Sequence, residues 1–309
     1  MLTRNRSLSL DSLSVQGSNA HLPDTNVWNR LCKQDEDPAQ VLQTLSAKGA
    51  TFVLSPHTIY ELARTFTGSK PTSKEQAIKF FSYIKKFLDA GIPCSKQLMN
   101  LVGDEAVAFG QGQTSINPLL SDQDRKVLCE EVDKLAAGNL EARVPEFIQK
   151  RTAFAAETRQ DQRNHFDGRP ELKQHLLTVA EGDLPNWLPA ETMTASGVAI
   201  ISSHLERIAG GSRPPASWSL AFLQSPVSVA SSGVVRADLY YNWRAANRGS
   251  NPPDLMDDML HVLQAIYCGL YVTEEPKQNQ YANLLLTAAT RVEIYDHAQT
   301  VSKWLENLP

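Results

Sequence analysis

Asn251 to Glu275 reads NPPDLMDDMLHVLQAIYCGLYVTEE, and the reading of this stretch decides the fold. Asn251 is a good helix N-cap, and Pro252 suits the first helical position, where its missing N–H costs nothing. Leu255, Met259, Val262, Leu263 and Ile266 recur at helical spacing, which predicts one buried face. Asp254, Asp258 and His261 share a different face, since residues three and four apart are helix neighbours. Gly269 predicts the helix stop. Leu270-Tyr271-Val272 follows as a short buried strand, and Thr273-Glu274-Glu275 stands at its carboxyl end. The carboxyl ends of strands are where an α/β sheet builds its sites.

Working outward, the segment ending at Asp24 reads as a first strand, with Pro23 as its terminus. Asp24-Thr25-Asn26, taken alone, are ordinary cap and turn formers. Pro38 to Lys48 predicts a short helix stopped by Gly49. Thr51 to Leu54 is a continuous apolar run, as in a strand buried on both faces. Ser55-Pro56 then opens a helix carrying Glu61, which by itself would pass for a solvated carboxylate. Lys74 to Ala90 is strongly amphipathic. Its lysines read first as a solvated face and second as flanks to a phosphate backbone.

Past Glu275, a helix through Tyr281 and Leu285 leads to a last strand at Arg291–Tyr295. A terminal helix follows from Asp296 to Leu308. Strands alternating with helices at both ends of the chain predict parallel βαβ units. The middle reads as mostly helical. Ser121 caps a helix through Lys134, and a longer helix over 144–164 carries Lys150, Arg151, Arg159 and Arg163. Residues 165–172 are a turn, 208–217 a loop, and 226–235 either loop or strand. A helix from Arg236 to Gly249 completes it. The expected organisation is a disordered leader over 1–19, an α/β core from 20–91 and 241–309, and a helical insertion over 92–240.

Composition excludes several classes. No apolar run approaches the roughly 18 residues that span a bilayer. The Ser-rich start lacks the apolar region of a secretory signal. Cys32, Cys94, Cys129 and Cys268 are scattered, without a CxxC pair, so reduced thiols in a cytoplasmic protein are expected and a zinc site is not. A formal net charge of −4 offers no global attraction to nucleic acid, so polyanion binding needs a local basic patch.

These pieces carry a family resemblance. Asp24-Thr25-Asn26-Val27 after a first strand resembles the opening motif of PIN-domain nucleases. Ser55-Pro-His-Thr-Ile-Tyr-Glu61-Leu is similar to the helix that carries the family's second acid. Asp258…His261…Ala265…Gly269…Val272-Thr273-Glu274-Glu275 resembles its third-acid helix and the strand that ends in Thr-x-Asp. The matched parts cover less than half of the chain. The resemblance implies an α/β fold, a PIN-like three-layer α/β/α arrangement around a short central parallel sheet, plus the helical insertion. It implies a ribonuclease dependent on Mg²⁺ or Mn²⁺, with Asp24, Glu61, Asp258 and Glu275 as catalytic metal ligands. Asn26 and Thr273 would orient those ligands or their waters. Two departures stand out: Glu275 replaces the usual Asp, and the third acid is doubled as Asp257-Asp258. Asp258 keeps step with Ala265 and Gly269; Asp257 is the fallback, and Asp254 would extend the acidic rim.

Clustered carboxylates repel unless cations neutralise them, and hard Mg²⁺ or Mn²⁺ prefers oxygen ligands and substrate phosphates. RNA is the implied partner. A protein inhibitor such as a cognate antitoxin, and a homodimer, fit the same resemblance; a membrane does not. Arg236, Arg244 and Arg248 read either as contacts to substrate phosphates or as a solvated surface paired with nearby acids. His261 reads as a proton shuttle or, more simply, as a locally bonded helix-face histidine. The competing functional reading is a catalytically weak or inactive PIN-like module that binds RNA or protein, motivated by Glu275.

Overall fold

The computed structural model describes residues 19–67, 72–139, 166, 170–249, 251–252, 254–286, 290–295 and 299–307. Almost all of the leader and the whole of the 144–164 helix lie outside these residues, as do the first residues assigned to the terminal helix.

Strand β1 (Ala20–Pro23) runs into α1 (Thr25–Lys33) and α2 (Pro38–Ala47). Then come β2 (Thr51–Phe52), α3 (Pro56–Arg64) and α4 (Ser73–Asp89). The middle is helical: α5 (Leu98–Gly110), α6 (Asp122–Ala136), α7 (Pro170–Leu177), α8 (Leu184–Thr192), α9 (Ala195–Ile208), α10 (Ala216–Leu223) and α11 (Val229–Arg248). The chain closes with α12 (Leu255–Gln264), β3 (Leu270–Thr273), α13 (Pro276–Leu285), β4 (Arg291–Ile294) and α14 (Val301–Glu306).

The sheet is short, four-stranded and parallel throughout, in the order β2-β1-β3-β4. Successive side chains point to opposite faces of a strand, and the core divides accordingly. Leu22, Val53 and Tyr271 enter one apolar cluster, while Phe52, Leu54, Leu270 and Val272 enter another. Helices α1 to α4, with α6 and α14, cover the second face. The first face is covered by α5, by α8 to α12 and by α13. The chain is thus α/β, with a parallel sheet between two helical layers.

The middle, expected as a helical insertion over 92–240, is mostly helical where it is described. Apart from α6, which joins the other cluster, its helices share one apolar cluster with β1 and β3, where Leu205, Val234, Leu239 and Trp243 are buried. Residues 229–235, ambiguous between loop and strand, join α11 as one 20-residue helix. Helix–helix packing, invisible locally, decides that.

The opening stretch departs from its reading in two places. Helix α12 begins at Leu255 rather than at Pro252, with Asp254 at the N-cap position. Asn251 bonds back to α11, its Nδ2 donating to the Tyr241 carbonyl and its Oδ1 accepting from Arg244. Gly269 does not stop the helix. A 3₁₀ turn at Ala265–Tyr267 ends it, and Gly269 already belongs to the sheet margin, donating its N–H to Ala20 and accepting from Arg291.

Candidate functional site

Strand β1 turns to β2 on one side, while β3 continues to β4 on the other, so the β1–β3 seam is a topological switch point. In open parallel sheets, ligand crevices form outside the strand ends at that seam. Asp24 follows β1 directly, and Thr273, Glu274 and Glu275 end or follow β3. Helices α3 and α12 bring Glu61 and Asp258 to the same place.

The result is a polar cavity of about 490 Å³ lined by Thr25, Asn26, Glu61, Arg64, Thr65, Asp258, His261, Glu275 and Gln278. Three of the four expected acids, with Asn26, therefore face one space. Asp258, and not Asp257, lines it. Burial pushes the Asp258 carboxyl up to about 7, and the charges of Glu275 and Glu61 push in the same direction. Asn26 Nδ2 donates to Glu275 Oε1 at 2.7 Å, which holds the longer glutamate side chain in place. The neighbouring Glu274 turns away, paired with Arg30 at 3.1 Å.

Asp24 is fully buried and is not among the lining residues. Its Oδ1 caps α1 by accepting from the Val27 N–H at 2.8 Å, and its Oδ2 accepts from Thr273 Oγ1 at 2.6 Å. Burial raises its pKa to about 7 against these two hydrogen bonds. Thr273 also accepts from the Glu275 N–H at 3.0 Å, so one hydroxyl ties the β1 acid to the β3 end. Asn26 and Thr273 thus each hydrogen-bond an acid, Glu275 and Asp24 respectively.

The arginines stand elsewhere. Arg236 lines a separate, mostly apolar cavity with Pro189, Thr192 and Met193. Arg244 donates to Asn251, and Arg248 pairs with Glu181 at 2.8 Å. None of the three lines the acidic cavity; Arg64 does. Its place at the carboxyl end of α3 follows from helical phase, because Arg64 is three residues on from Glu61.

Two histidines complete the site. His261 is buried, not the helix-face residue of the simpler reading. His57, two residues into α3, is 6% exposed. Their rings approach with centroids 4.7 Å apart. His57 Nε2 stands 3.5 Å from Glu61 Oε1, and His261 Nδ1 stands 3.5 Å from Glu61 Oε2. Nε2 of each ring is buried without a hydrogen bond. Burial and the neighbouring His57 push His261 down to about 3, so the ring is neutral at physiological pH. Burial alone would raise Glu61, but His57, His261 and a hydrogen bond from the Thr25 hydroxyl hold it below the ordinary glutamate range. The buried trio His57–Glu61–His261 could hold a metal ion, its ligand atoms all lying within 4.8 Å of one another.

The trio contains no cysteine, so the cysteine spacing could not reveal it. The local signal was His57 and Glu61 at i and i+4 on one helix; the third member lies 200 positions later. All four cysteines are free. Among the described residues, no helix is long and apolar enough to cross a membrane.

The chain matches no protein-family model, no curated protein and no solved structure.

Proposed function

We propose that this protein is a metal-dependent ribonuclease of PIN-like design that hydrolyses phosphodiester bonds in the acidic cavity. One observation carries the reading. Glu61, Asp258 and Glu275 come from remote parts of the chain and line one polar cavity at the sheet's switch point. Burial, with the charges of Glu275 and Glu61, raises Asp258, and a bound cation offsets that penalty on the charged form.

Asp258, Glu275 and Glu61 would hold Mg²⁺ or Mn²⁺, ions that favour carboxylate oxygens and retain water. A bound ion of this kind supplies an activated water and neutralises charge on a phosphodiester. The chain's own residues do the positioning. Asn26 fixes Glu275, Thr273 couples Glu275 to Asp24, and Thr25 orients Glu61. Arg64 at the cavity wall offers a guanidinium to a phosphate of the RNA. We assign the protein to a reducing compartment such as the cytoplasm, where four free thiols persist.

Asp24 favours a second reading. With both its oxygens engaged inside the protein, the cavity presents three acids rather than four, which suits a weak nuclease or a module that binds RNA without cutting it. Incubating the purified chain with single-stranded RNA and Mn²⁺ tests both readings. Cleavage that falls by on the order of 100-fold in Asp258→Asn supports the nuclease, since even loss of a supporting group costs about 10–100-fold. Retention of RNA without cleavage supports the binding module. Cleavage equal in Asp258→Asn and the parent overturns the site.

A further inference from the structure

The site holds two kinds of ligand, and one of them does not suit magnesium. Asp258 and Glu275 offer only oxygen, whereas His57 and His261 offer imidazole nitrogen behind Glu61. Hard Mg²⁺ takes oxygen ligands in an octahedron; imidazole suits Zn²⁺ and its transition-metal neighbours. We propose that His57, Glu61 and His261 form a second site for a borderline divalent ion of the Zn²⁺ or Co²⁺ type, sharing Glu61 with the all-oxygen site.

Three observations carry it. First, the spacing is close to that around a bound ion. A tetrahedral ion with bonds of about 2.0–2.1 Å separates its ligands by about 3.3–3.4 Å, against about 3.0 Å for neighbours in an octahedron of that size. Each imidazole stands 3.5 Å from a different Glu61 oxygen, and the three ligand atoms of the trio lie within 4.8 Å of one another, so small side-chain shifts bring them onto one ion. Second, His57 Nε2 points into the trio, in a side chain 5% exposed, yet makes no hydrogen bond. Most buried polar atoms find a partner; among the described residues the Nε2 atoms of His57 and His261 are two of the few that do not. Third, the charge and support suit the ion. Two imidazoles and one carboxylate are a donor set that suits a borderline divalent ion. Glu61 is oriented by Thr25, a supporting contact typical of metal-bound carboxylates. Glu61 and His261 also line the cavity, so the trio has an entry path and an open position for water.

The inference stands apart from the ribonuclease reading, and its test contains no RNA. Metal-stripped full-length protein is titrated with Co²⁺ and followed by visible absorption. One equivalent is expected to produce the intense band of four-coordinate cobalt, displaced by Zn²⁺ and indifferent to a large excess of Mg²⁺. His57→Gln and His261→Asn, checked for folding by circular dichroism, should each weaken Co²⁺ binding by about tenfold or more. Asp258→Asn should keep the band. A parent protein that develops no band overturns the proposal. So does a band that survives both histidine variants while Asp258→Asn abolishes it.

Discussion

Thr273 shows how much a single hydroxyl organises here. It donates to the buried Asp24, accepts from the Glu275 backbone, and so joins the two strand ends that frame the cavity. Removing it strands a buried carboxylate with one partner fewer. Thr273→Val should lower stability by about 1–3 kcal/mol in chemical denaturation, the usual cost of an orphaned buried polar group. Thr273→Ser, which keeps the hydroxyl and loses the methyl, should be much less destabilised; a loss in Thr273→Ser as large as in Thr273→Val would mean that the methyl packing matters as much as the hydroxyl. The same scale shows what a tripeptide cannot tell. Asp24-Thr25-Asn26 reads locally as a cap, and Asp24 does cap α1. Its neighbours Thr25 and Asn26 meanwhile bond Glu61 and Glu275, which are 36 and 249 positions away.

At the scale of elements, α11 sets the position of α12 and hence of Asp258. Gly233 lets the two approach, since a Cβ there would stand 2.7 Å from the side-chain ends of Leu263 and Ile266. Gly233→Ala should cost about 1–3 kcal/mol by overpacking, measured by urea denaturation. An unchanged midpoint would mean those side chains move freely aside. The N-terminus of α11 is held from a distance. Glu105 of α5 accepts from the Ala230 N–H at 2.6 Å and the Ser231 N–H at 2.8 Å. It also takes the Ser231 hydroxyl at 2.6 Å and the Tyr267 hydroxyl. Capping is usually local and readable; this cap comes from 125 positions away, and nothing beside Ser228 announces it.

Across the whole molecule, Glu105 ties the middle helices to the turn before β3, so its ionisation bears on global stability. Burial, against those four hydrogen bonds, pushes its pKa from an ordinary 4.5 up to about 7. The folded state therefore holds the proton more tightly than the unfolded chain. The stability this contributes is full below about pH 4.5 and is lost as pH rises through about 7. Asp24 and Asp258 titrate with the same sign, so the test is a difference. Glu105→Gln should be less stable at acid pH, because its amide faces two N–H donors, and its stability should fall less steeply than the parent's between pH 4.5 and 7. Parallel curves would remove Glu105 from the pH response.

The order of strands and helices at the two ends of the chain was legible in the sequence, because period and capping are local properties. So was the identity of three acids that share a cavity, since order along the chain survives folding. Three things were decided only in tertiary structure. The middle helices became a layer of the core, because apolar faces 100 positions apart found each other. Asp24 withdrew from the cavity, because Thr273 came within reach of it. His57 and His261 met across Glu61, since the packing of α3 against α12 is written in no single segment.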